Sequence, residues 1–514
     1  MSRRRRRRRP RWTPDLAGAR GAARAHFGIA RLRREQEEAL GAVLEGRDAL
    51  CILPTGYGKS LIYQAAAAVL DRPVVTVSPL LALIRDQERA LRDARLPVVR
   101  FDSTLRAAAR RHHLERIGKG RRLVVLTTPE SLENEEMAEA LRAARPAVLC
   151  VDEAHCITEW GHDFRPAYLR LGAQRRAYGI DVGLALTATA TPRVADDIVE
   201  RLDLRDPLVI RAPPHRKNLE LRVVEAPGNL KFEAAGRLLR RLARPGLVYC
   251  ATTKAVDELH AALTKARVPV ARYHGKMTAK ERAAAQRRFM RPSKPAVMVA
   301  TNAFGMGIDK ADIRYVMHFQ SPGSPEQYVQ EAGRAGRDGK RARCVLLYDP
   351  EDLAIHEYLA DRSRPSGAQL RRIGEALAAY ADERKDVASK ELALAARAPA
   401  TVTRSAAAQL EELGLLTTRK RRWVPLADAD TLRGASVGLA ERFEVIRRED
   451  GRRLRAMAAY AAEPRCRSIF LRRWFGESDP PRCGRCDRCR SERSTRKEAA
   501  SAVRRAKRAA DRSG

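Results

Sequence analysis

Short continuous apolar runs alternate with longer amphipathic stretches from Phe27 to Pro350. Apolar runs bounded by turn residues predict buried strands, and apolar positions spaced three and four apart predict helices. The strands predicted in the first half are 49–53, 74–77, 123–127, 147–151 and 182–186, and those in the second half are 247–250, 296–300, 315–319 and 344–348. Alternation of this kind predicts an α/β chain with parallel sheets covered by helices. The paired prolines of RAPPHRKN (211–218) predict a linker between two such halves, and RSRPSG (362–367) predicts a second boundary. Beyond it the chain is rich in Ala, Leu and Arg and reads as mainly helical. No apolar run approaches the roughly 18 residues of a membrane helix.

Composition adds a partner. The 514 residues suffice for about three to four domains. Lys and Arg number 100 against 63 Asp and Glu, a net charge of +37. Residues 1–11 carry +8 of it and residues 493–514 carry +6, which leaves +23 on the body. A surplus of this size predicts a polyanionic partner, nucleic acid before membrane. The N-terminal arginines run into no hydrophobic segment, so the expectation is a cytoplasmic, nucleoid-associated protein. Cys51, Cys150, Cys156, Cys250 and Cys344 are scattered, mostly in strand-like runs, and are expected as buried reduced thiols.

The candidate chemistry sits where strands end, as ligand sites of open α/β sheets do. Strand 49–53 runs into PTGYGKS (54–60) ahead of an apolar helix. Thr55, Gly56 and Gly58 shape a loop whose N–H groups face phosphate, Lys59 reaches the β/γ-phosphates and Ser60 ligates Mg²⁺. Strand 147–151 ends in Asp152-Glu153-Ala154-His155. A carboxylate there suits Mg²⁺, and its neighbour suits deprotonation of water. Together they predict an NTP-hydrolysing site. Strand 182–186 ends in Thr187-Ala188-Thr189-Ala190-Thr191, hydroxyls placed to link hydrolysis to movement. Cys466, Cys483, Cys486 and Cys489 offer four thiolates at spacings suited to a closed tetrahedral Zn²⁺ site.

The order of these motifs resembles superfamily-two helicases, and Gln330-Glu331-Ala332-Gly333-Arg334-Ala335-Gly336-Arg337 is similar to their arginine motif. The segment Cys156-Ile157-Thr158-Glu159-Trp160-Gly161-His162-Asp163-Phe164-Arg165-Pro166 resembles the aromatic-rich loop of RecQ helicases, as does VATNAFGMGIDK (299–310). The resemblance covers about residues 26–350 and, through the cysteines, 466–489. It implies two RecA-like parallel-sheet motor domains, a 3′-to-5′ ATP-dependent DNA helicase activity in repair, recombination or replication, and ATP, Mg²⁺ and Zn²⁺ as cofactors. It places Phe27, Gly28, Arg33 and Gln36 on the adenine side, with Gln36 reading the base. Asp152 would hold Mg²⁺, Glu153 would be the general base, and Arg334 and Arg337 arginine fingers. Trp160, Phe164, Arg165 and Thr187 would contact single-stranded DNA or couple it to hydrolysis.

Between the second half and the cysteines lies a segment that the family's usual order lacks. Helix-like stretches open at Lys390 and Thr401, and LLTT (415–418) and WVPL (423–426) flank Arg419-Lys420-Arg421-Arg422. Two helices followed by a hairpin resemble a winged helix, with Arg419, Lys420, Arg421 and Arg422 expected on the phosphates of forked DNA and Trp423 expected to stack on the terminal base pair or brace the hairpin. A helical linker packed on the motor is the alternative. The expected domains are thus a basic tail 1–25, motor domains 26–212 and 213–350, a winged-helix-like segment 351–440, a helical zinc module 441–490 and a basic tail 491–514. An RNA helicase, or a zinc-containing DNA-binding regulator with a vestigial ATP site, are the competing functions.

Overall fold

The computed structural model describes residues 15–158, 166–214, 216–292, 296–305, 310–419 and 422–495. Seven parallel strands form the first sheet: β1 (Ala49–Ile52), β2 (Val74–Val77), β3 (Val98–Phe101), β4 (Val124–Thr127), β5 (Val148–Val151), β6 (Val182–Thr187) and β7 (Leu208–Arg211). Their order is β3-β4-β2-β5-β6-β1-β7, so β1, β6 and β5 lie side by side. The strands between the edges are buried on both faces, which is why they read as unbroken apolar runs. Asp48 is buried just before β1 and accepts both Arg175 guanidinium nitrogens, at 2.6 and 3.1 Å, and the Gly183 N–H at 2.8 Å. That buried pair ties the start of β1 to β6 and to the helix Leu171–Ala177.

The second sheet holds β8 (Leu219–Glu225), β9 (Gly246–Tyr249), β10 (Val270–Tyr273), β11 (Val297–Ala300), β12 (Tyr315–His318) and β13 (Ala342–Tyr348). All pairings are parallel, in the order β10-β11-β9-β12-β13-β8. A third, antiparallel sheet joins β14 (Val387–Ala388), β15 (Leu416–Arg419) and β16 (Arg422–Pro425). With the helices Gly367–Asp382, Ser389–Ala395 and Ala400–Glu412 it has the element order of a winged helix. The helix Ala429–Ala462 precedes the cysteine cluster, and the helix Arg467–Trp474, capped by Cys466, lies within it.

The chain divides into two compact units. One takes residues up to Leu53, Gly58–Ala212 and Glu357–Arg452; the other takes Pro54–Tyr57, Pro213–His356 and the residues from Arg453 on. The winged-helix-like segment therefore belongs to the unit of the first sheet. Within it, Glu411 pairs with Arg170, and Glu412 pairs with Arg201 at 3.0 Å and Arg442 at 2.8 Å. The cysteine cluster belongs to the unit of the second sheet. There Met457, Tyr460, Cys466, Leu471 and Phe475 share one apolar core with Leu221, Phe304, Val316 and Tyr328. Among the described residues no helix is long and apolar enough to cross a membrane.

Candidate active site and zinc centre

β1 ends at Ile52, and past buried Leu53 the chain turns into the helix Ser60–Val69. Gly56 and Gly58 take φ of 79° and 81°. A Cβ is strained there, so the loop requires glycine at both positions. Ser60 opens a buried helix, and the Leu61 and Ile62 N–H groups donate to the Gly58 and Lys59 carbonyls at 3.1 Å, which tightens the loop into the helix start where phosphate oxygens are favoured. Lys59 Nζ donates to the Leu53 carbonyl at 3.1 Å and so folds back over the loop.

Phe27 closes the helix Leu16–Phe27, and Gly28 caps it in the left-handed region at φ 66°. Arg33 caps the helix Arg34–Leu44. Gln36 links its helix to the phosphate loop. It is buried, its Oε1 accepts from Arg33 N–H at 2.9 Å, and its Nε2 donates to the Gly58 carbonyl at 2.9 Å. Both amide ends are thus engaged within the protein, and the side chain braces the phosphate loop.

β5 delivers Asp152, which is 5% exposed. Burial, reinforced by the neighbouring Glu153 carboxylate, pushes its carboxyl up to about 6 against the pull of Lys59. The Glu153 N–H donates to Oδ1 at 3.0 Å and Gln87 Nε2 to Oδ2 at 3.3 Å. A desolvated carboxylate beside a lysine is a donor suited to a hard divalent cation and to the phosphates that accompany it. Glu153 itself sits at φ 50°, a left-handed conformation uncommon outside glycine and concentrated at functional sites. His155 Nδ1 lies 2.8 Å from Thr187 Oγ1 and 3.4 Å from Glu153 Oε2. The acidic motif is thereby joined to the threonine turn at the end of β6, and the Thr187 hydroxyl donates onward to the Thr189 carbonyl at 3.1 Å.

In the second unit the helix Pro325–Ala332 leads directly into Arg334 and Arg337. Arg334 is buried, its guanidinium 3.1 Å from where a Cβ on Gly305 would stand. Burial pushes the neighbouring Tyr249 hydroxyl up to about 12, with Arg334 pulling the other way. Arg216 donates to the Gly333 carbonyl at 2.7 Å and the Gly336 carbonyl at 3.0 Å, and Asn218 to the Gly336 and Lys340 carbonyls at 2.7 and 2.8 Å. These two residues cradle the arginine loop, yet in sequence they looked like linker. Gln87 was also missed, although a signal existed: it interrupts the buried stripe Ile84, Gln87, Leu91 of its helix with a polar side chain.

The four sulfurs of Cys466, Cys483, Cys486 and Cys489 all lie within 4.8 Å of one another. Cys466 and Cys483 are 3.5 Å apart, and Cys486 and Cys466 4.0 Å apart. Tetrahedral Zn–S bonds of about 2.3 Å imply S···S separations of about 3.8 Å, so the cluster fits Zn²⁺. Backbone N–H groups of Cys483, Arg485 and Cys486 point at cysteine sulfurs at 3.3–3.5 Å, as thiolates favour. The five scattered cysteines are buried and form no disulfide, as expected.

Two side chains of the hairpin are held within the segment. Trp423 is 7% exposed, packs in the core of the winged-helix-like segment and donates from Nε1 to Ser389 Oγ at 3.1 Å. These contacts suit the bracing role, one of the two expected for Trp423. Arg422 pairs with Asp386 at 2.7 Å and Glu391 at 2.9 Å on the segment's surface. Lys420 and Arg421, and likewise Trp160, Phe164 and Arg165, lie outside the described residues.

Three neighbouring strands thus present a phosphate loop, a threonine turn and an acidic pair from their C-terminal ends, the layout of the DEAD/DEAH-box class of helicase motors. Residues 33–198 match the DEAD/DEAH box helicase family, and residues 230–339 the helicase conserved C-terminal domain. Residues 428–490 match the RecQ zinc-binding family. The chain belongs to the RecQ family. It is 38% identical over 340 residues to the ATP-dependent DNA helicase RecQ of Bacillus subtilis, covering 66% of this chain and 57% of that protein. It is 37% identical over 334 residues to the ATP-dependent DNA helicase RecQ of Synechocystis, covering 63% of this chain and 70% of that one. The chain therefore spans between about half and two thirds of the length of these relatives. Among solved structures it resembles the Mycobacterium smegmatis helicase Lhr bound to ssDNA and AMP-PNP, with a TM-score of 0.53 at 22% identity, covering 82% of this chain and 61% of that one. At that identity the likeness is one of fold.

Proposed function

We propose that the chain is an ATP-dependent DNA helicase that moves 3′ to 5′ along single-stranded DNA and opens forked duplexes. The observation that carries the reading is the environment of Asp152: a buried carboxylate at the end of β5, held by Gln87 and the Glu153 N–H, on the sheet edge that also bears the phosphate loop. Asp152 and the Ser60 hydroxyl are the residues that would hold Mg²⁺, which supplies charge neutralisation on the phosphates when bound. Glu153, turned by its left-handed backbone, accepts the proton of the attacking water. Lys59 and the loop Thr55, Gly56, Gly58 bind phosphate, Phe27 and Arg33 lie on the adenine side, and Arg334 and Arg337 supply charge to the transferred phosphate. The His155–Thr187 contact joins the acidic motif to the threonine turn and offers a path from hydrolysis to movement. Trp160, Phe164 and Arg165 contact the single strand.

Family membership and the four-sulfur cluster favour DNA over RNA as the track. The test is ATP hydrolysis with single-stranded DNA, duplex DNA and RNA, alongside unwinding of duplexes tailed at either end. Stimulation by single-stranded DNA and unwinding only of 3′-tailed duplexes are expected. Stronger stimulation by RNA, or hydrolysis insensitive to any nucleic acid, would overturn the reading.

A further inference from the structure

The helix that carries the arginine motif is held by side chains of the zinc module, and the contacts are specific. Tyr328, in the middle of Pro325–Ala332, is fully buried. Its hydroxyl meets that of Tyr460 at 3.0 Å, and the two rings lie 4.9 Å apart. Tyr460 is in turn covered by Arg467, whose guanidinium carbon sits 5.5 Å from the ring centroid. Arg467 is 1% exposed, yet its charge is matched: it donates to the Ala461 carbonyl at 3.0 Å and to both Asp487 oxygens at 3.0 and 3.1 Å. Asp487 lies between the zinc ligands Cys486 and Cys489 in sequence and also accepts the Val223 N–H of β8 at 3.0 Å. At the N-terminal end of the same helix, Trp474 Nε1 donates to Glu326 Oε1 at 3.0 Å. His318 Nε2 also pairs with Glu331 of this helix at 2.8 Å, and its ring lies tilted against Tyr328 at 4.9 Å.

We propose that Tyr460 and Trp474 are positioning residues for the arginine motif, so that the zinc module sets the rate of phosphoryl transfer as well as the stability of its own segment. The inference rests on the assignment of Arg334 and Arg337 to the phosphate. The physical argument is leverage. Those arginines follow the helix within five residues of Ala332, and a fixed helix is what holds a charge where it is needed in the transition state. Buried polar contacts have discrete geometry and low tolerance for gaps, so removing one allows the helix to shift rather than merely soften. An apolar interface alone would not need a tyrosine pair, a buried arginine and a tryptophan N–H aimed at a glutamate.

The experiment uses the full chain with Tyr460→Phe, Trp474→Phe, Glu326→Gln and Glu326→Leu. Tyr460→Phe removes one polar contact at nearly constant volume, Trp474→Phe removes the N–H together with part of the ring, Glu326→Leu removes the acceptor alone, and Glu326→Gln keeps an acceptor for Trp474. Zinc content, thermal unfolding, and kcat and KM for ATP with single-stranded DNA are measured on each. Tyr460→Phe, Trp474→Phe and Glu326→Leu should lower kcat about tenfold, the scale of a sub-ångström misplacement, with KM unchanged and zinc retained. Glu326→Gln should keep kcat close to wild type. Wild-type kcat in Tyr460→Phe and Trp474→Phe overturns the proposal, as does a loss of kcat that follows zinc loss in proportion. A wild-type protein that hydrolyses no ATP overturns the proposed function instead.

Discussion

Lys59 and Glu153 separate binding from turnover. Lys59→Ala should abolish ATP hydrolysis by removing the phosphate contact, whereas Glu153→Gln should keep nucleotide binding and lose turnover. Fluorescent-nucleotide binding and phosphate release measured on both variants check this, and near-wild-type hydrolysis in Lys59→Ala would remove the site assignment. Asp102, at the end of β3, offers a pH signature. Burial pushes its carboxyl up, but hydrogen bonds from the Thr104 hydroxyl and N–H and the charge of Arg100 outweigh that, and the carboxyl ends below its usual range. Because its value is depressed on folding, Asp102 adds stability above the unfolded value of about 4 and loses it as pH falls through the folded one. Asp102→Asn should therefore lower the denaturation midpoint at pH 7, and the gap should close below about pH 4. Parallel denaturant titrations at both pH values decide it.

At the scale of elements, sequence patterning found every strand that lies between two others in the large sheets. It missed β3, β7, β8 and β10, which are the four sheet edges. Their sequences, VVRF, LVIR, LELRVVE and VARY, carry charges because one strand side faces no partner, and charge there discourages pairing with other chains. The hairpin of the winged-helix-like segment was legible as a hairpin, but the choice between the two roles of Trp423 was not. Trp423→Ala should cost about 3–5 kcal/mol, the scale for emptying a buried tryptophan site, and should melt the segment. Arg422→Ala should leave the salt dependence of fork binding unchanged, since Asp386 and Glu391 already pair with Arg422. Arg419→Ala, at the exposed end of β15, should reduce the salt slope by about one unit if the hairpin meets phosphate. Fork affinity measured against salt for the two variants separates these outcomes.

At the scale of the whole molecule, the two units should respond differently to metal removal. The zinc ligands pack into the core that holds β8, β12 and the arginine-motif helix, whereas no described zinc ligand belongs to the unit of the first sheet. Chelation should therefore accelerate amide exchange in Leu219–Glu225 and Pro325–Ala332 while Ala49–Ile52 and Val148–Val151 stay protected. Metal analysis should return about one zinc per chain before treatment. Equal loss of protection in both sheets would show that the cluster supports more than its own unit.

The sequence by itself determined the two parallel-sheet halves, the phosphate loop, the acidic pair, the arginine motif and the thiolate cluster. Each of these is a contiguous stretch whose chemistry depends on neighbours a few residues away, so residue types and spacing suffice to read it. Tertiary structure alone decided which unit each later segment joins, that Gln36 spans from its helix to Gly58, that Arg216 and Asn218 cradle the arginine loop, and that Trp423 faces a core. It also decided the meeting of Tyr328 with Tyr460. These contacts join residues from about 20 to more than 130 positions apart. No local pattern marks such a pair, because burial and hydrogen bonding are settled only when distant segments close around the same volume.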